Sequence, residues 1–100
     1  MQPRIVTFSP EAKDDLRKLY DWLAETASPN VAIKYIGRIE SYCMGLTHLP
    51  ERGNRRDDVR EGLRIQSFEK RISIAFNVED ERVVILGLFY AGRNWEAQFD

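Results

Sequence analysis

The sequence predicts an α+β fold of order β-α-α-β-β-β, in which a helical hairpin packs on one face of a small, mainly antiparallel sheet. Three observations carry that expectation. Two segments with apolar residues at helical spacing follow one another, separated only by Ser28-Pro29. Beyond the polar loop "PERGNRRDDVREG" the apolar period changes from about 3.6 to 2, the mark of strands. The last apolar run, residues 82–90, is apolar at both parities, which suits a strand covered on both faces.

Each element has its own justification. Residues 3–8, "PRIVTF", are rich in β-branched and aromatic side chains and read as a strand. Ser9 then offers a cap, Pro10 fills the first helical position and Glu11 lies in the first turn. Apolar residues at 12, 16, 19, 20, 23 and 27 mark one helical face. Ser28-Pro29 starts a second helix with Ala32, Ile36, Ile39, Cys43 and Leu46 in line, ending between Gly45 and Pro50. So short a turn makes the two helices antiparallel. Residues 63–67 alternate. In 71–78, Ile72, Ile74, Phe76 and Val78 face one way and Arg71, Ser73, Ala75 and Asn77 the other. "VEDER" supplies the turn into the last strand.

One hundred residues support one modest core, so a single domain spanning 1–100 is expected. No run approaches the ~20 apolar residues that span a bilayer, and no apolar segment follows a basic start. A cytoplasmic protein without membrane contact is the expectation. The lone Cys43 excludes an internal disulfide and a cysteine metal cluster. A formal charge of −1 argues against coating nucleic acid by bulk electrostatics. Between Arg52 and Arg71, however, seven cations face four acids. That stretch reads either as a basic face or as a solvated loop of mixed charge.

Few side chains suit catalysis. His48, the only histidine, stands at the end of the second helix, where a cation relieves the helix dipole. Asp14-Asp15 read as solvated surface and Cys43 as core. No acids cluster with His or Cys as metal ligands, so neither a metal nor a cofactor is expected. A metal-free ribonuclease would need a base, cations for the phosphorane and a proton donor. Glu61, Arg64, Arg71, Tyr90 and Arg93 supply those residue types. Arg71, opposite the apolar side of its strand, would point away from the helices onto an exposed, shallow basic floor. On the helices, Trp22, Tyr35 and Tyr42 fall beside the apolar stripes. They mark either a partner surface or the seam between the helices.

"FSPEAKDDL", "A..YI.RIE..C..L..LP..G", "VREGLR...F..RISIAFNV" and "VVILGLFYAGR.WE", in that order from Ile5 to Glu96, resemble a toxin of the RelE/ParE superfamily, most closely its ParE branch. The resemblance implies a type II toxin–antitoxin system. The partner would be a ParD-like antitoxin with a ribbon-helix-helix domain, whose flexible C-terminal segment folds on the toxin. Operator DNA would be reached only through that antitoxin. The pattern suggests Trp22, Tyr35, Tyr42, Arg60, Arg64 and Arg71 as its receptors. ParE-like members inhibit DNA gyrase and are not enzymes; RelE-like members are ribosome-dependent messenger endoribonucleases. After Tyr90 the sequence has neither His nor Tyr, which favours the gyrase inhibitor. Arg93 matches the Arg of the ParE-type ending "GARD.E", with Asn94 where an acid is usual. Arg64, Arg71, Tyr90, Arg93 and Glu96 are then candidates for target binding, and none is assigned a catalytic role.

Overall fold

The computed structural model describes residues 4–47, 53–90 and 99. Strand β1 (Ile5–Phe8) leads into helices α1 (Pro10–Thr26) and α2 (Pro29–Met44). A 3-10 turn (Gly45–Thr47) follows, then strands β2 (Asn54–Arg55), β3 (Leu63–Phe68), β4 (Ile72–Val78) and β5 (Arg82–Phe89). The sheet order is β1-β5-β4-β3-β2, with β1 parallel to β5 and every other pair antiparallel. Two helices on a mainly antiparallel sheet are the expected α+β architecture, with one strand more than the sequence suggested. The addition is β2, two exposed residues inside the polar loop, which no apolar alternation could have signalled. It is set by Gly53, whose φ of +81° suits glycine; a Cβ there would lie 2.5 Å from the Ile65 carbonyl oxygen.

Both helices start as their sequences dictate. The Ser9 and Ser28 hydroxyls accept bonds from the Ala12 and Val31 amides at 3.1 Å each, and a proline follows each cap. Only Ala27 and Ser28 separate the helices, which therefore fold back on one another. Leu19, Ile39, Cys43 and Leu46 enter a core completed from the sheet by Ile72, Ile74, Phe76, Val83, Ile85 and Leu88. Ala27, read as the end of the α1 stripe, is instead its exposed C-cap. Cys43 is fully buried, and burial pushes its thiol up to about 12.

β5 lies between β1 and β4 and contains a bulge. Ala75 pairs with Gly87 but Phe76 with Ile85, leaving Leu86 as the extra residue. The bulge moves the helix-facing positions from Val83 and Ile85 to Leu88, and turns Phe89 to the outer side. β1 ends opposite Ile85, so beyond that point β5 keeps β4 on one side but has no strand on the other. Helix α1 supplies the missing acceptor: the Leu88 amide donates to Asp15 Oδ2 at 3.0 Å. This corrects the reading of Asp14-Asp15. Asp14 is a surface partner of Arg17 and Lys18, whereas Asp15 closes a backbone bond of the sheet.

The outer face also differs from expectation. Leu63, Ala75 and Phe89 form a second buried cluster with Val59, Ile65, Leu86 and Phe99 packed against it. The shallow basic floor expected there is replaced by apolar packing. Within the polar loop, Arg55 pairs with Asp57 and Arg56 with Asp58, so much of its charge is matched locally. The Asp57 carboxyl is held below its ordinary value, first by the Gly62 amide and then by Arg55.

Candidate functional site

The β3–β4 turn brings the candidate residues together. Glu69 and Lys70 take φ of 50° and 60°, the sign that a type I′ turn demands at both central positions, and the Arg71 amide bonds the Phe68 carbonyl at 3.1 Å. Arg71 thus leaves the turn before β4 begins. It lines a cleft on the helix side of the sheet instead of pointing away from the helices as its parity suggested. The left-handed turn rotates the chain just before Ile72, so the alternation inside β4 does not extend back to residue 71.

This cleft encloses about 870 Å³ between the helical hairpin and the β3–β4 turn. Its apolar lining comes from Leu19, Trp22 and Leu23 of α1, Val31 and Tyr35 of α2, and Ile72 and Tyr90 from the sheet side. Trp22, 45% exposed, packs on Tyr90 with ring centroids 5.6 Å apart. Together with the Asp15–Leu88 bond, this contact fastens α1 to the end of β5 at two points about two helical turns apart. The rim carries Lys34, Arg38, Lys70 and Arg71 against a single acid, Glu69.

Arg38 organises one wall. Its Nε and Nη2 donate to the two Glu69 carboxylate oxygens at 3.0 Å each, and its guanidinium lies 4.8 Å from the Tyr35 ring centroid. The Arg38 fork holds the Glu69 carboxyl below its ordinary range. Burial, followed by the Glu69 charge, pushes the Tyr35 phenol above its own. The Tyr35 hydroxyl is sealed from solvent and has no hydrogen-bond partner among the described residues. Tyr35 and Tyr42 both pack on Phe68, at 6.1 and 5.3 Å between centroids, so they lie between α2 and the β3 end rather than in the seam between the two helices.

Trp22, Tyr35, Arg71 and Tyr90 therefore share one cleft, with Tyr42 in an adjoining depression against Phe68. Arg64 and Arg60 are elsewhere. Arg64 sits opposite Phe76 and so shares the helix-side face of β3, outside the cleft. Arg60 has its guanidinium 6.0 Å from the Phe99 ring, beside the outer cluster. The expected single arginine-rich sheet face is thus divided among three places. His48, Arg93, Asn94 and Glu96 lie outside the described residues. Sequence reasoning passed over Val31, Lys34 and Arg38, although with Tyr35 and Tyr42 they follow helical spacing along one flank of α2. Among the described residues, no group of three or more His, Cys, Asp or Glu could hold a metal ion.

The sequence matches, over residues 6–95, the family described as the ParE toxin of the type II toxin-antitoxin system, parDE. The chain belongs to the ParE toxin family. Its fold is similar to that of a chain from the chromosomal ParDE toxin–antitoxin system of P. aeruginosa. That likeness has a TM-score of 0.76 and 23% identity, covering 87% of this chain and 95% of the other. The fold is similar also to a chain of the RelBE2 toxin–antitoxin complex from Mycobacterium tuberculosis. Here the TM-score is 0.64 and the identity 23%, with 93% and 97% covered. No curated protein matches the sequence significantly. No described helix of this ParE-family chain is long and apolar enough to cross a membrane. Its cleft, basic at the rim and aromatic within, offers charge and apolar contact. The three lining groups with shifted titrations are all moved away from neutrality, Glu69 downward and Tyr35 and Arg38 upward.

Proposed function

We propose that this ParE-family toxin acts by binding DNA gyrase and is neutralised by a ParD-like antitoxin, whose acidic, amphipathic segment seats in the Trp22–Tyr90 cleft. The observation that carries this reading is the composition of the cleft. Leu19, Trp22, Leu23, Val31, Tyr35, Ile72 and Tyr90 offer apolar contact, and the rim holds four cations to one acid. That arrangement complements a helix with leucines on one face and carboxylates at its margins. Acid–base chemistry draws little support from the same residues. A general base or acid works best with a pKa near the operating pH, whereas the Glu69 carboxyl is lowered and the Tyr35 phenol raised.

The test is to express the toxin alone in bacteria and assay purified gyrase for supercoiling and trapped cleavage complexes, with message cleavage on ribosomes in parallel. DNA breaks with intact messages are the expected outcome. Cleaved messages with normal gyrase would replace this reading with the RelE-like endoribonuclease.

A further inference from the structure

The Arg38–Glu69 ion pair occupies a particular position. Lys34, Arg38 and Glu69 line both the Trp22–Tyr90 cleft and the neighbouring depression against Tyr42 and Phe68, so the pair stands on the boundary between them. Both side chains are well exposed, at 53% and 41%, and a surface ion pair of this kind exchanges partners readily. Glu69 reaches Arg38 from a turn in which two successive non-glycine residues hold positive φ, a conformation that disfavours the very residue making the pair. Beneath the fork lies the Tyr35 ring, whose hydroxyl is sealed and unpartnered among the described residues. Every feature is consistent with a closure that opens.

We infer that Glu69 is a built-in stand-in for a partner's carboxylate: it holds Arg38 closed across the groove until an acidic amphipathic segment displaces it. With the fork open, the cleft and the depression join along the flank of α2, from Trp22 and Tyr90 to Tyr42 and Phe68. The incoming carboxylate takes the bidentate site on Arg38, and the neighbouring cations Lys34 and Arg71 flank it. The positive rim commits the groove to an acidic peptide over a basic one. The aliphatic side chains among its aromatic lining (Leu19, Leu23, Val31, Ile72) favour leucine-type side chains over the bases of single-stranded RNA. This inference rests on the proposed antitoxin reading of the cleft and adds its regulation.

The two members of the pair should act in opposite directions, which a merely structural ion pair would not do. The probe is a synthetic helix-forming peptide with leucines on one face and glutamates on the other, compared with its lysine counterpart and with oligouridylate. Binding is followed by the combined fluorescence of Trp22 and Trp95, and thermal melts check that each variant folds. Wild-type protein binds the glutamate peptide. Glu69→Gln, which keeps the shape but frees Arg38, tightens that binding by about three- to tenfold, and Arg38→Gln weakens it by about tenfold. The lysine peptide gains nothing from Glu69→Gln. If both variants weaken the glutamate peptide, or Glu69→Gln leaves it unchanged, the stand-in role is wrong while the cleft reading survives. If wild-type protein binds oligouridylate but not the glutamate peptide, the cleft reading itself fails, and the stand-in with it.

Discussion

Replacing Asp15 with alanine should cost this fold more than any neighbouring surface change. Asp15 Oδ2 accepts the Leu88 amide at 3.0 Å, where β5 has run past the end of β1 and no strand offers a carbonyl. A hydrogen bond to a charged group contributes about 1.5–3 kcal/mol, and a buried donor left unpaired costs about 1–3 kcal/mol. Asp15 is only half-buried, so water recovers part of the loss, and about 1.5 kcal/mol is the expected destabilisation. For a chain of this size each kcal/mol moves Tm by about 4–8 °C, giving a fall of about 6–12 °C. Asp15→Asn keeps an acceptor oxygen and should lose roughly half as much. Asp14→Ala, one residue away, removes only solvated pairs with Arg17 and Lys18 and should leave the melt unchanged. Thermal and urea unfolding measure all three. Hydrogen exchange adds a local readout: the Leu88 amide should be protected in the wild type and lose protection in Asp15→Ala. Equal effects at positions 14 and 15, or an unprotected Leu88 amide in the wild type, would refute the capping role.

Other consequences follow from single positions. Lys70→Gly removes the strain of φ 60° in the β3–β4 turn, about 1–2 kcal/mol, against a glycine entropy cost of about 0.5–1 kcal/mol. A net gain of about 0.5–1 kcal/mol in urea unfolding is expected, and a loss would mean that the turn is not left-handed there. Gly53→Ala places a Cβ 2.5 Å from the Ile65 carbonyl at φ +81°, and should destabilise by about 1–3 kcal/mol while releasing β2 from β3. Unchanged protection of the Asn54 and Arg55 amides would contradict that. Burial of Cys43 raises its folded-state value to about 12 from an ordinary 9.0, so the folded state holds the proton longer. Its contribution is fully present below 9.0 and is lost as pH rises toward 12; the alkaline slope of stability should be shallower in Cys43→Ala. Thiol reagents should label native protein at neutral pH only as fast as it unfolds.

The parts of the fold set by local rules were legible in the sequence. Ser9-Pro10 and Ser28-Pro29 announce both helix starts, and alternation from Ile72 to Phe76 announces the core face of β4. The parts set by tertiary geometry were not. A run apolar at both parities hides the Leu86 bulge, because each parity looks equally buried on paper. Asp15 resembles Asp14 in sequence and differs only in what β5 presents to it. Arg71 was misplaced because strand parity was carried one residue into a left-handed turn. Within the candidate site, the aromatic members Trp22, Tyr35 and Tyr90 stood out as side chains lying off the core stripes or ending the last strand. Lys34, Arg38 and Glu69 looked like ordinary surface charges, and only folding places them around one groove.

Affinity for the cognate antitoxin, measured by titration calorimetry on wild-type toxin and on Trp22→Ala and Arg71→Ala, tests the cleft most directly. Each substitution removes one kind of contact from the same groove, aromatic packing in the first and rim charge in the second. A loss of about tenfold or more for each, in variants that thermal melts show to be folded at the assay temperature, with the Arg71→Ala deficit shrinking at high salt, is the predicted result. Wild-type affinity in both variants would contradict it and move the partner to another face of the toxin.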